Sequence, residues 1–335
     1  METQGLVSIP LHQVQMTMRK LLISLSLCAA ASSSFAGGFP SKPLTLVVSV
    51  PAGGTIDAIA RMVAKDLGDS LGEPVIVDNR GGANGTIAAD YVRRAPADGH
   101  TILMLASSTL VLSPYVMGKL PFDPLKDLAP VAKSAGLNMS LLVNPSVGVS
   151  DLPSLVNKMR GSPGKLNYSS TGNGSFPHIA GALLNLETQT TSTNVAYKGL
   201  APSIQDLLAN QVQFTFDSGS ASYVKAGKLK ALAVIGPKRS SALPDVPTFR
   251  ELGIPEMEKI NGWHGVFAPA GTPPEVIRRL NSEIHKILMK TSSIEKIQSM
   301  GFESVSSTPE DLAAELHRDY KNFGELMART KISAN

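Results

Sequence analysis

Cysteine and aromatic residues are scarce in this chain, and each scarcity argues against a class of function. The single cysteine among the 335 residues is Cys28, near the N-terminus, so neither a disulfide framework nor thiol chemistry is expected in the rest of the chain. Aromatic residues make up 5% of the sequence, which is poor material for stacking on nucleic-acid bases. The 31 Lys and Arg residues are scattered and the net charge is only +4, so we predict no nucleic-acid partner.

The motifs that mark common catalytic and metal sites are also missing. The sequence has no CxxC or HExxH motif and no Asp/Asn-rich calcium loop. The G-x-S-x-G motif of hydrolases is absent too, and Gly172-Asn173-Gly174-Ser175, which comes nearest, lacks the second glycine. We therefore predict no metal, no cofactor and no enzymatic activity. A secreted hydrolase built from residues distant in sequence stays open as an alternative.

The longest apolar run near the N-terminus, residues 21–31, is too short to span a bilayer. A basic pair precedes this run and the small-x-small triplet 34–36 follows it. This order is typical of a cleaved secretory signal. We predict a signal peptide over residues 1–36, with 1–15 as an upstream extension, and a protein located in the bacterial periplasm.

The stretch that organises the chain is Leu44–Arg61, which reads LTLVVSVPAGGTIDAIAR. Its first half is typical of a buried parallel strand, and its second half has the apolar spacing of an amphipathic helix. The pair Gly53-Gly54 forms the turn between them. Backbone amides at the start of such a helix lack partners and attract anions. We expect Gly53, Gly54 and Thr55 to bind a carboxylate of a small solute.

Asp57 lies in the first turn of this predicted helix. It can complement the positive end of the helix dipole, or it can face a cationic part of the solute. The stretch shows neither the GxGxxG spacing of dinucleotide sites nor the GxxxxGK[ST] spacing of a P-loop. A nucleotide is therefore not the expected ligand.

Two further strands continue the pattern, PVIVDN at 74–79 and TILMLAS at 101–107. With the helices between them they predict a β-α-β-α-β unit and a parallel sheet. The strands end in Gly, Ser or Thr, and ligands bind at that edge of such sheets. Residues 110–127 hold three prolines and are expected to be irregular.

A second unit of the same kind follows from residue 165, with a glycine-rich turn between the strand KLNYSS and a helix. Its helix begins near His178, the histidine that we most expect to face a ligand. The apolar stretch 128–145, with a break at 134–136, and the stretch 260–269 are candidate crossing strands. The predicted fold is α/β, with two doubly wound sheets joined by two crossing strands.

This organisation predicts two domains with a ligand between their glycine turns. Domain I comprises residues 37–137 and 260–335, and domain II comprises 138–259. Hinges are expected near residues 135 and 262, and closure of the two lobes would be the functional motion.

Seven stretches in order resemble the substrate-binding proteins of tripartite tricarboxylate transporters, the Bug family. They are PAGGTIDAIAR, VDNRGGANGTIAADYV, SPYVMGKLPFDPLKDLAPV, YSSTGNGSFPHIAGALLN, YKGLAPSIQDLLANQVQFTFDS, LKALAVIGPKRSSALPDVPTFRELG and GWHGVFAPAGTPPEVIRRLN. The resemblance runs from about Phe39 to the C-terminus. It implies a periplasmic binding protein of the type II fold, a small carboxylate ligand and a membrane permease as partner. A monomer is expected.

The resemblance also implies which residues line the cleft. These are Gly53, Gly54 and Thr55, the strand end Ser107, Ser108 and Thr109, the loop residues Ser170, Thr171, Gly172, Asn173 and Ser175, and Asp217. The second loop reads GGANGTIA, with less glycine near its end than the family pattern, which bears on the distal ligand contacts. A ligand-sensing partner of a membrane signalling protein is the alternative function.

Overall fold

The computed structural model describes residues 38–330 and 332. The chain divides into two compact units, Met1–Ser41 and Lys42–Asn335. Everything below concerns the second unit, and the predicted signal peptide and its extension lie outside the described residues. No helix among the described residues combines the length and the apolar character that a membrane span requires.

The strands follow the sequence prediction closely. They are Leu44–Val48 (β1), Val75–Asn79 (β2), Thr101–Ala106 (β3), Leu128–Leu137 (β4), Met139–Val143 (β5), Asn167–Ser170 (β6), Thr193–Ala196 (β7), Phe214–Asp217 (β8), Lys230–Ile235 (β9), Gly262–Pro269 (β10) and Phe302–Glu303 (β11).

The helices lie between and after these strands. They are Thr55–Leu71 (α1), Thr86–Arg93 (α2), Ser108–Val111 (α3), Ser113–Val116 (α4), Leu152–Gly161 (α5), Phe176–Thr188 (α6), Leu200–Leu208 (α7), Ala221–Lys225 (α8), Pro274–Leu288 (α9), Thr291–Ser299 (α10) and Pro309–Thr330 (α11). Short 3-10 helices span Ala83–Gly85, Pro145–Val147 and Pro255–Lys259.

The first sheet has the order β11-β4-β10-β3-β1-β2. Its β2-β1-β3 part is parallel, with Leu44 opposite Val75 and Thr45 opposite Thr101, which confirms the predicted β-α-β-α-β unit. Strand β10 runs antiparallel to both β3 and β4. We call this sheet and the helices packed on it the first lobe.

The second sheet has the order β7-β6-β8-β5-β9. Strand β6 is parallel to β7 and β8, and β5 is antiparallel to β8 and β9. We call this sheet and its helices the second lobe. The two sheets confirm the predicted α/β architecture with two lobes.

The chain passes from the first sheet to the second through one residue, Asn138, which separates β4 from β5. The predicted break at 134–136 is a β-bulge instead, because His264 pairs with Ala135 and Gly265 with Lys133, which leaves Ser134 without a partner residue. The return passage is residues 236–261, which hold a 3-10 helix. The stretch 260–269 supplies β10, which pairs with strands of the first sheet.

The region 110–127, expected to be irregular, begins with helical structure. Helices α3 and α4 occupy residues 108–116, and Leu110, Val111 and Leu112 are buried in the core. A proline at the start of a helix occupies a position where no backbone donor is needed. Pro114 lies in the first turn of α4, so its presence did not exclude a helix.

Tyr168 lies in the core of the second lobe and contacts the helix that follows the second glycine turn. It is buried, its ring stacks on Phe214 at 5.4 Å, and its hydroxyl donates to the His178 carbonyl at 3.1 Å. Gly181 of α6 lies directly against this ring, and a Cβ atom there would come within 2.2 Å of Tyr168 Cε2. Position 181 therefore requires glycine, because any larger residue would collide with the Tyr168 ring.

The substitution Gly181→Ala should destabilise the protein. Alanine gains about 1 kcal/mol of helix propensity, but overpacking a buried ring costs about 1–3 kcal/mol and Tyr168 is held on two sides. We expect a lower free energy of unfolding in a urea titration. Gly161→Ala is the matched control, because Gly161 is also helical and a Cβ atom added there would meet nothing within 4 Å. Equal stability of the two variants would contradict this packing.

Candidate functional site

Two adjoining cavities lie at the carboxyl ends of the strands. The larger, of about 380 Å³, is lined from both lobes by Asn84, Ser108, Leu112, Val116, Met117, Thr171, Gly172, Asn173, Gly174, Ser175, Phe176 and Pro177. The smaller, of about 190 Å³, is lined by Ser49, Val50, Pro51, Gly82, Asn84, Gly85, Ala106, Ser108 and Thr109. Asn84 and Ser108 line both, so the cavities form one groove.

The β1–α1 turn has the predicted form and lies at the edge of this groove. Gly54 is the residue before α1, and no side chain caps the helix. Gly53 has φ of 93°, a conformation that favours glycine. Gly54 has φ of −82° and room for a Cβ atom, so the turn itself requires glycine only at position 53. Of this turn, Pro51 lines the smaller cavity, whereas Gly53, Gly54 and Thr55 do not.

Asp57 braces this turn from inside the protein. Its side chain is about 5% exposed and accepts hydrogen bonds from the Gly53 amide at 2.9 Å, Arg61 Nε at 3.0 Å and Asn79 Nδ2 at 2.9 Å. Burial by itself would raise the pKa of Asp57, but these hydrogen bonds and the Arg61 charge lower it to about 2. Asn79 Nδ2 also donates to the Val50 carbonyl. The Gly53 amide is thus engaged within the protein.

The loop 81–85 forms one wall of both cavities and carries two unusual backbone conformations. Ala83 and Asn84 have φ of 46° and 51°, values uncommon for residues other than glycine. Asn84 is held there by its side chain, which donates to Ser113 Oγ at 2.7 Å, and by its carbonyl, which accepts from Thr109 Oγ1 at 2.8 Å. Strained backbone of this kind often accompanies binding sites.

Asn84 was not among the residues predicted from the sequence. The Asn-Gly pair at 84–85 is a turn signal, and Gly85 fits tightly, since a Cβ atom there would lie 2.6 Å from Thr109 Oγ1. That close fit joins the loop to the end of β3. Only the folded chain shows that it also brings the Asn84 side chain into the groove.

The three predicted residues at the end of β3 have different environments. Ser107 is fully buried and binds the backbone of Trp263, accepting at Oγ and donating at N. Thr109 is buried and lines the smaller cavity while donating to Asn84. Ser108 lines both cavities, and its hydroxyl has no hydrogen-bond partner among the described residues. Ser108 is therefore one of the hydroxyls available to a ligand.

The second glycine turn forms the opposite wall. Four residues that the sequence analysis assigned to the ligand cleft line the larger cavity: Thr171, Gly172, Asn173 and Ser175. Ser175 precedes α6 without capping it, because its hydroxyl donates to the Gly172 carbonyl at 2.7 Å. The uncapped start of α6 presents a positive dipole end, and because Pro177 in its first turn has no N–H group, fewer amides are available there than at an ordinary helix start.

Ser170 and His178 shape this turn and are not among the cavity-lining residues. Ser170 Oγ donates to the Gly172 carbonyl at 3.2 Å, and His178 Nδ1 accepts from the Gly174 amide at 3.0 Å. Burial lowers the pKa of His178, which favours the neutral ring that this acceptor role needs. Both residues hold the loop in place.

Asp217 lies at the end of β8 and lines neither cavity. Its carboxylate accepts from the Gly219 amide at 3.0 Å and from Ser220 Oγ at 2.6 Å. The neighbouring Ser218 and Gly219 backbone packs against Gly301 of the first lobe. Asp217 therefore orders a loop at the junction of the lobes.

The electrostatics of the groove come from backbone and neutral side chains. None of the residues that line the two cavities is Lys, Arg, His, Asp or Glu. The polar groups are hydroxyls, the amide side chains of Asn84 and Asn173, and backbone amides near a helix start, which suit recognition of an anion. Their arrangement can bind and orient a ligand.

Comparison with known proteins identifies the family. Residues 59–331 match the family described as the tripartite tricarboxylate transporter family receptor. Protein BugT of Bordetella pertussis is 34% identical over 302 residues, which cover 88% of this chain and 92% of that protein.

Solved structures give the same result. A protein of R. palustris solved with adipate is 32% identical, with a TM-score of 0.77, covering 88% of this chain and 99% of that one. MatC from Rhodopseudomonas palustris, with bound malate, is 29% identical with a TM-score of 0.72, covering 86% of this chain and 99% of that one. The chain therefore belongs to the receptor family of the tripartite tricarboxylate transporters, the group that includes the Bug proteins.

Proposed function

We propose that this receptor captures a small carboxylate-containing solute in the groove between its two lobes and delivers it to a tripartite tricarboxylate-type permease in the membrane. The observation that carries the proposal is the groove itself, with anion-binding groups from both lobes and no ionisable side chain. The adipate and malate in two related structures support a carboxylate. The protein acts in the periplasm as a monomer, and it has no catalytic step.

The two lobes correspond to domain I, residues 37–137 and 260–335, and domain II, residues 138–259. A carboxylate would accept hydrogen bonds from the Ser108 hydroxyl on one lobe and from the amides of Thr171, Gly172 and Asn173 on the other, since the amides of Gly174 and Ser175 already donate within the loop region. The amides of Gly54 and Thr55, which have no hydrogen-bond partner among the described residues, would add a second set of donors at the start of α1. A ligand that satisfies both lobes stabilises the closed state, because the open state cannot offer both sets at once.

The expected affinity for a carboxylate follows from a small number of hydrogen bonds to its charged oxygens. A hydrogen bond to a charged group contributes about 1.5–3 kcal/mol, and three or four such bonds offset the ordering and desolvation that binding requires. Dissociation constants on the order of micromolar follow. Binding by neutral dipoles rather than by lysine or arginine also makes the affinity weakly dependent on salt compared with that of an exposed cationic site.

A thermal-shift screen against a panel of carboxylates tests the function directly. A ligand that binds the native state alone raises the melting temperature by mass action, so at least one acid should give a concentration-dependent shift. The protein is first unfolded and refolded to remove any solute carried through purification, and the supernatant is examined by mass spectrometry. A folded protein that responds to no acid, with no acid released on unfolding, would contradict the proposal.

The substitution Ser108→Ala should weaken that binding. Removing one donor to a charged acceptor costs about 1.5–3 kcal/mol, so the dissociation constant measured by calorimetry should rise roughly tenfold or more. The melting temperature without ligand should stay unchanged, since the Ser108 hydroxyl has no partner among the described residues. Ser292→Ala, at an exposed position of α10, is the matched control and should bind as the wild type does. If Ser108→Ala and Ser292→Ala bound the carboxylate with equal affinity, Ser108 would not be a ligand contact.

The Asp57 brace predicts a specific dependence of stability on pH. Its folded pKa of about 2 lies below the ordinary value of 3.8, so its stabilising effect is present above pH 4 and is lost as the pH falls towards 2. The wild type should lose about 2 kcal/mol more unfolding free energy over this window than Asp57→Asn. Asp69→Asn, on the exposed side of the same helix, is the control and should follow the wild type. Parallel profiles for wild type and Asp57→Asn would exclude the brace.

A further inference from the structure

The larger cavity has an apolar wall that the carboxylate does not need. Leu112, Val116 and Met117 line it from the first lobe, and Phe176 and Pro177 line it from the second. The α3–α4 segment supplies the first three, and the Val116 amide donates to the Leu112 carbonyl at 3.2 Å, so Leu112 and Val116 lie one helical turn apart. We define these five residues as the apolar wall.

Met117 is the exposed part of this wall. It is 42% exposed, whereas Leu112 and Phe176 are buried beneath it. Phe176 is held by packing on Phe323 at 5.4 Å between ring centroids, and Val116 lies against Gly174, where a Cβ atom would come within 2.7 Å of Val116 Cγ1. The wall is therefore held from behind, Val116 and Pro177 are half-buried, and Met117 is its most exposed residue.

The polar groups of the same cavity lie on other residues. Asn84, Ser108 and the loop 171–175 supply all of its hydroxyl and amide groups, and no ionisable side chain lines it. A second carboxylate placed against the apolar wall would gain neither a cation nor a hydrogen-bond donor and would lose hydration wherever it covers the wall, which is unfavourable. An aliphatic chain placed there would instead be removed from water, which is favourable.

We infer that the preferred solute is a monocarboxylate with an aliphatic tail, whose tail covers Met117 while its carboxylate meets the polar loops. The inference rests on the proposed function and specifies the ligand class of the same groove. It assigns Met117 as a residue that determines specificity. Short dicarboxylates are then the weaker ligands of this particular receptor.

Two series of acids with equal chain lengths test the inference by calorimetry on the refolded full chain: butanoate, hexanoate and octanoate against succinate, adipate and suberate. Each buried methylene adds about fourfold to affinity, so affinity should rise along the monocarboxylate series until the cavity is filled. Hexanoate should bind at least about tenfold more tightly than adipate, because the second charge of adipate would be desolvated.

The substitution Met117→Gln keeps the length of the side chain and makes it polar. It should weaken hexanoate binding roughly tenfold while leaving butanoate little changed, since the shorter tail reaches less of the wall. Met289→Gln is the matched control, because Met289 is similarly exposed at 48% and lies at the end of α9, where it lines neither cavity. The melting temperatures of both variants without ligand verify that they are folded.

The outcomes separate the inference from the function on which it rests. Tighter binding of adipate than of hexanoate, or equal hexanoate affinity for Met117→Gln and the wild type, would overturn the apolar wall as a specificity element while leaving a carboxylate receptor. Absence of binding for all six acids and for every other carboxylate tested would overturn the proposed function itself. A rising monocarboxylate series that Met117→Gln flattens would establish the inference.

Discussion

The passage of the chain through Asn138 constrains the whole molecule. Strand β4 ends at Leu137 in the first sheet and β5 begins at Met139 in the second, so one residue separates the two sheets along the chain. Asn138 is buried and lies against Gly236 of the returning segment. Beside it Glu303 accepts from the amide and the hydroxyl of Ser241. Both crossings thus meet at one packed point.

Helix α11 adds a second constraint on how the lobes move. Asp319 on this helix accepts from Trp263 Nε1 of the first sheet at 2.9 Å, whereas Phe323, one turn later, packs on Phe176 of the second lobe. Near its end, Arg329 pairs with Glu187 of α6. The helix therefore contacts both lobes, and its C-terminal half packs on α6, whose first residue Phe176 lines the groove. Any movement of one lobe against the other therefore has to keep or exchange these contacts of α11.

The sequence predicted most of the fold because its signals are local. The strand, glycine turn and helix of Leu44–Arg61 appear where the apolar periodicity places them, and the same pattern recurs at 165–188. Helices α3 and α4 were missed, because two four-residue turns are too short to show a helical period and a proline hides the second. The Asp57 brace was open to two interpretations, since its partner Asn79 reaches it only after β2 has paired beside β1, whereas Arg61 is a local partner four residues along the same helix. Asn84 and Met117 entered the groove through tertiary packing, which no local pattern encodes.

The absence of charged side chains in the groove also explains why many polar residues around it form hydrogen bonds within the protein. A dipole stabilises an anion only if it is held in position before the ligand arrives, since a mobile amide would turn towards water. Ser170 and His178 hold the 171–175 loop, Asp57 holds the β1–α1 turn, and Thr109 holds the loop 81–85. These residues hold the loops and turns that surround the groove. Because their hydrogen bonds are satisfied within the protein, the backbone amides of those loops keep their orientation.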